Sequence, residues 1–155
     1  MGSTATLSGV DTSRGAQLAL LLLDGFESLT RQVIDELAER GHPAVTATHE
    51  FALRAIDQGA DDAAALGRAL GVSRQAAAKT IEALESLGYL RRLADPSDAR
   101  RKRLVVTDRG YEMSRLGGAA YDALRERWAA SIGWARLEGV EAALHDLAGR
   151  DTFPT

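Results

Sequence analysis

Few folds are open to a chain in which two short, alanine-rich helical segments meet at Leu70-Gly71-Val72-Ser73. Asp61 to Leu70 reads as the first helix, with Ala65, Leu66, Ala69 and Leu70 on its apolar side. Gly71 permits the backbone conformation of a tight corner, Val72 is expected to wedge between the helices, and Ser73 can cap the second. That second helix runs from Arg74 to Leu87, packs Ala77, Ile81 and Leu84 inward, and is closed by Gly88. The arrangement is a helix-turn-helix.

With Ile81 facing inward, a 100° step per residue puts Gln75, Ala76, Lys79 and Ala83 on the opposite side, with Ser73 and Arg74 at the exposed N-terminus. Gln and Lys reach base edges or phosphates, Ser and backbone amides take phosphate oxygens, and alanines keep the face low enough to enter a major groove. Helix propensity alone also produces an alanine face, and many helix-turn-helix proteins never touch DNA.

Charge separates these readings. The net charge of −3 is unevenly spread. Residues 1–65 hold 4 Lys+Arg against 10 Asp+Glu, residues 66–110 hold 10 against 5, and residues 111–155 hold 5 against 7. The middle segment is therefore +5, and binding responds to the local field rather than to the total. Its cations cluster on a hairpin. Tyr89 to Leu93 and Arg101 to Thr107 alternate as strands around the turn-rich stretch Ala94 to Arg100. Leu104 and Val106 share one face and Arg101 and Arg103 the other. An edge strand guards against aggregation with one or two charges. Arg91, Arg92, Arg100, Arg101, Lys102 and Arg103 around one turn exceed that need and suit a phosphate backbone.

Helices flank this unit. Between Arg14 and Arg40 an apolar row runs through Leu22, Phe26, Leu29, Val33 and Leu37, with Ser13 as N-cap and Gly41 and Pro43 as the stop. Around Leu20 to Leu23 the helix is apolar on nearly every side, so something outside the monomer is expected to cover part of it. Met113, Leu116, Ala120, Leu124 and Trp128 form a second row. After a break near Gly133, Leu137, Val140, Leu144 and Leu147 form a third. Long stripes on sequence-distant helices suit an intertwined homodimer; a monomeric bundle is the alternative. The first dozen residues and Asp151 to Thr155 read as loose ends.

Asp98-Ala99-Arg100, Leu104, Val106-Thr107 and Gly110 resemble the wing signature of the multiple-antibiotic-resistance regulator (MarR) family of bacterial transcription factors. Leu70-Gly71-Val72-Ser73, Leu84-Glu85, Gly88-Tyr89-Leu90 and Arg92 match the same family's recognition-helix region. The resemblance implies a mainly α fold: a winged helix-turn-helix with a two-stranded wing, plus N- and C-terminal helices forming a dimerisation lobe. It divides a single domain, 1–155, into dimerisation helices at 14–41 and 111–149 and a DNA-binding lobe at 45–110. It also implies a homodimeric repressor on a pseudo-palindromic duplex operator, released by a small aromatic or anionic effector. Arg100 then enters the minor groove, with Asp98 holding its side chain. Where many relatives carry arginine this chain has Lys79, a point charge without a bidentate fork, which favours a phosphate contact. The DNA-contacting set is thus Ser73, Arg74, Gln75, Ala76, Lys79, Asp98, Arg100, Arg101 and Arg103. A winged helix that binds only another protein, or a DNA-binding regulator without a ligand, are the competing readings.

Other chemistry is thin. No cysteine is present, which excludes thiol redox sensing and Cys-ligated metal. His42, His49 and His145 show no HxxxH or HxxE spacing and read as surface or capping residues, so no metal or cofactor is expected. No nucleophile–base pair or phosphate loop supports an enzyme, and there is no catalytic residue to name. Phe26, Phe51, Tyr121, Trp128 and Trp134 are effector-cleft candidates, though each also fits ordinary core. The apolar run Leu18 to Leu23 is too short for a membrane span and no signal segment is visible, giving a cytoplasmic expectation.

Overall fold

The computed structural model describes residues 13–149. Residues 1–12 and 150–155, which include both expected loose ends, lie outside the described residues. Six helices and one antiparallel hairpin follow in the order α1 (Arg14–Glu39), α2 (Ala47–Asp57), α3 (Ala63–Leu70), α4 (Arg74–Ser86), β1 (Leu90–Asp95), β2 (Asp98–Val106), α5 (Asp108–Ile132) and α6 (Trp134–Leu147).

Most helix starts are set by a side chain that answers an otherwise unpaired backbone N–H. Ser13 accepts from Ala16, Asp62 from Ala65, Ser73 from Ala76 and Thr107 from Gly110. Thr46 and His49 close a reciprocal capping box on α2, the capping role expected of that histidine. Because Asp62 takes the cap, α3 begins at Ala63 rather than at Asp61. Gly71 ends α3 in the left-handed region at φ 68°, as the corner requires.

Val72 does not wedge into the corner: its side chain is 42% exposed. The close approach is made by backbone against Gly67. A Cβ on Gly67 would lie 2.9 Å from the Val72 carbonyl oxygen, and the Val72 N–H donates to the Gly67 carbonyl at 2.9 Å. A glycine inside an eight-residue helix is thus the condition for this turn.

The hairpin is longer than its alternation suggested, turning on Pro96 and Ser97 alone. Leu90 pairs with Val106 and Ala94 with Lys102, but Asp95 pairs with Asp98. Ala99, Arg100 and Arg101 consequently face no residue of β1 and form a bulge near the tip.

One core joins the elements. Leu53, Ile56, Leu66, Ala77, Ile81 and Leu84 pack α2, α3 and α4 together, and Leu90 and Val106 seat the hairpin on them. Val33 and Leu37 of α1 pack with Met113, Ala120 and Leu124 of α5 in the same cluster. The ends behave differently. Leu21 is 68% exposed and Phe26 51%, and on α6 only Leu137 is buried. Trp128 and Leu144, two members of the expected apolar rows, also lie exposed. Together they border an apolar groove of about 860 Å³ between α1, α5 and α6, with Leu22, Val140 and Leu147 on its walls.

Candidate nucleic-acid interface

The first turn of α4 is open to solvent. Ser73, Arg74, Gln75 and Ala76 are exposed, as is Lys79 one turn on, while Ala83 is half-buried. Ala77, Ile81 and Leu84 hold the opposite face in the core. The helix therefore offers backbone N–H groups, a positive dipole end, an amide and two cations from one side. Ser73 accepts from the Ala76 N–H at 3.1 Å, which leaves its own O–H available as a donor.

The wing is braced at its base and shaped at its tip. Arg92 of β1 donates to Glu85 of α4 at 2.8 Å, tying the strand to the helix beside it. At the tip, Asp95 accepts from the N–H and hydroxyl of Ser97 at 2.9 and 2.7 Å. Those bonds, with Arg103 and Arg101 nearby, hold the Asp95 carboxyl below the usual carboxylate range. Asp98 accepts from the backbone N–H of Arg100 at 3.0 Å. It thus fixes the main chain of the bulge, not the Arg100 guanidinium, which has no ion pair among the described residues. Arg101 turns back toward Asp61 and Asp62 at the start of α3, at 3.9 and 3.8 Å. Arg103 is exposed and lies opposite Leu93.

Behind the wing is a cluster that the sequence did not suggest. His42, expected at the surface, is 1% exposed and shares a 2.8 Å hydrogen bond with the Tyr89 hydroxyl. Arg109 stands over the Tyr89 ring, 5.1 Å from its centroid, and donates to the Gly41 carbonyl at 3.2 Å. Burial and the Arg109 guanidinium hold the His42 imidazole below its ordinary value, against the pull of Glu112 at 3.8 Å. His42 and Tyr89 are 47 residues apart, so no local pattern could have paired them.

Three of the five aromatic candidates come together. Phe26 stacks on Phe51 and Phe51 on Tyr121, each at 6.1 Å between centroids. Trp128 lies instead in the α1–α5–α6 groove, and Trp134 sits under Arg125 at 5.1 Å. Among the described residues no group of three His, Cys, Asp or Glu could hold a metal ion, and no helix is long and apolar enough to cross a membrane.

A capped helix with an open, cationic first turn, braced against a bulged basic hairpin, defines a winged helix-turn-helix protein. Residues 45–101 match the model of the MarR family. Solved structures share the whole architecture. CouR from Rhodococcus jostii, bound to p-coumaroyl-CoA, is 18% identical over 93% of this chain and 100% of its own, with a TM-score of 0.67. PcaV from Streptomyces coelicolor, in complex with its natural ligand, is 21% identical over 92% and 98%, with a TM-score of 0.68. A mutant of MepR from S. aureus, bound to an oligodeoxyribonucleotide, is 16% identical over 85% and 96%, with a TM-score of 0.57. No curated protein sequence matches the chain. Residues 45–101 are thus similar to the MarR family, and the chain shares the winged-helix fold of these structures.

Proposed function

We propose that the chain is a cytoplasmic homodimeric repressor that binds a pseudo-palindromic operator and is released by a small molecule. The observation that carries this reading is the pairing of two unlike surfaces. One lobe presents the exposed first turn of α4 beside the cationic wing. The other leaves the leucines of α1 and α6 uncovered around a large groove. A contiguous apolar face of that kind needs a partner, and a second copy would place two α4 helices on one duplex about one helical turn apart, ~34 Å. Dimerisation is therefore assigned to 14–41 and 111–149 and DNA binding to 45–110.

In this reading α4 enters the major groove through Ser73, Arg74, Gln75, Ala76 and Lys79. The wing reaches the flanking minor groove through Arg100, with Asp98 shaping the bulge that carries it. Arg101 and Arg103 follow the phosphates. The solved structures support both partners: MepR holds an oligodeoxyribonucleotide, CouR holds p-coumaroyl-CoA and PcaV its natural ligand.

Salt dependence of binding to random duplex DNA tests the proposal. If each subunit neutralises about four phosphates, the log–log slope should be near about −7. A slope between zero and about −2 would leave the basic wing without its assigned role and favour a protein-binding module.

A further inference from the structure

Of the 19 Lys and Arg residues in the chain only two are lysines, Lys79 and Lys102. The two residue types differ in reactivity as well as in shape. A guanidinium stays charged and does not attack, whereas a lysine amine that has given up its proton is a nucleophile toward activated acyl groups. Lysine is therefore the cation whose charge acylation can remove. In this sequence both such positions fall within the winged helix-turn-helix, so any lysine acylation lands on the proposed DNA surface.

Lys79 stands on the outward face of α4, and Lys102 lies on β2 between Arg101 and Arg103, opposite Ala94. Both are exposed. Neither ammonium has a hydrogen bond or ion pair among the described residues. Arg40, Arg54, Arg92 and Arg125, by contrast, are each held by a glutamate. Arg74 at the start of α4 and Arg100, Arg101 and Arg103 in the wing add exposed positive charge beside the two amines. A field of that sign draws anions that carry a phosphate, a small acyl donor as well as a duplex.

We propose that Lys79 and Lys102 are acylation sites, and that transfer from an acyl phosphate to these two amines weakens the hold on duplex DNA. The neutral Lys Nζ attacks the acyl carbonyl carbon. A C–N bond forms, the C–O bond to phosphate breaks with its electron pair, and the amine proton passes to the departing inorganic phosphate. The resulting amide is uncharged and answers no phosphate as a cation. On α4 the added acyl group also raises a face that alanines keep low, which obstructs its entry into a groove. The proposal rests on the DNA-binding reading for this consequence, not for the transfer itself.

Incubation of the full chain with acetyl phosphate, followed by peptide mass mapping and fluorescence anisotropy on random duplex DNA, tests the assignment. Both lysines should gain an acetyl group, and duplex added beforehand should slow both reactions. The log–log salt slope should become shallower by about 0.9 for each modified lysine that answers a phosphate, or by about 3.6 for a dimer modified at both. The double variant Lys79→Arg/Lys102→Arg keeps the charges without the amines. Its affinity, whatever the starting value, should not change on treatment. In protein that holds duplex before treatment, four results would each overturn the proposal: a lysine that takes no acetyl group, modification that duplex does not slow, an unchanged slope, or an equal loss of affinity in the double variant. Protein that is acetylated at both lysines but never holds DNA loses the repressor reading and keeps the sites.

Discussion

His42 illustrates how one residue can carry the joint between lobes. It lies in the α1–α2 loop, bonds to Tyr89 at the root of the wing and faces Arg109 and Glu112 of α5. Its folded-state pKa lies below the ordinary 6.5, so the unfolded chain takes up the proton first as pH falls. The contribution of His42 is then fully present above about pH 6.5 and is lost as pH falls from there toward the folded-state value. The unfolding temperature should drop over that window, and His42→Gln should flatten the slope there. A parent protein with the same slope as the variant would remove His42 from this role. Gly67 makes the complementary point, since its value lies in the side chain it lacks.

At the scale of the element, the wing shows how register makes function. A plain hairpin would alternate its cations between faces. The bulge at Ala99, Arg100 and Arg101 instead re-aims consecutive residues, with Asp98 holding the Arg100 main chain. Among the described residues the Arg100 guanidinium has no ion-pair partner, whereas Arg101 has Asp61 and Asp62 within 4 Å and, in the proposed binding mode, would exchange them for phosphate. Arg100→Ala should therefore cost roughly 1–3 kcal/mol of duplex affinity, and Arg101→Ala less, by fluorescence anisotropy at constant salt. Equal affinities for the parent and Arg100→Ala would count against minor-groove insertion.

For the whole molecule, the decisive quantity is the apolar surface left on α1 and α6. Leu21 touches the groove yet is mostly exposed within one chain, so a change there spares the monomer core. We expect the parent to sediment as a dimer at micromolar concentration and Leu21→Glu to sediment as a folded monomer with weakened DNA binding. A variant that stays dimeric would move the interface elsewhere. A monomeric parent would refute the symmetric docking of two α4 helices.

Much of this molecule could be read from its residues in order. The span of α1, the glycine corner, the inward row Ala77, Ile81 and Leu84, the exposed first turn of α4 and the basic hairpin all follow from neighbours within a few positions. Capping, helical periodicity and strand alternation are local physics, set before any two elements meet. The wing bulge, the backbone approach over Gly67 and the burial of His42 against Tyr89 are of another kind. Each depends on which faces come together across tens of residues or on how two strands settle in register. Those contacts arise only when the core packs, and packing energy is a property of surfaces in space rather than of adjacent letters.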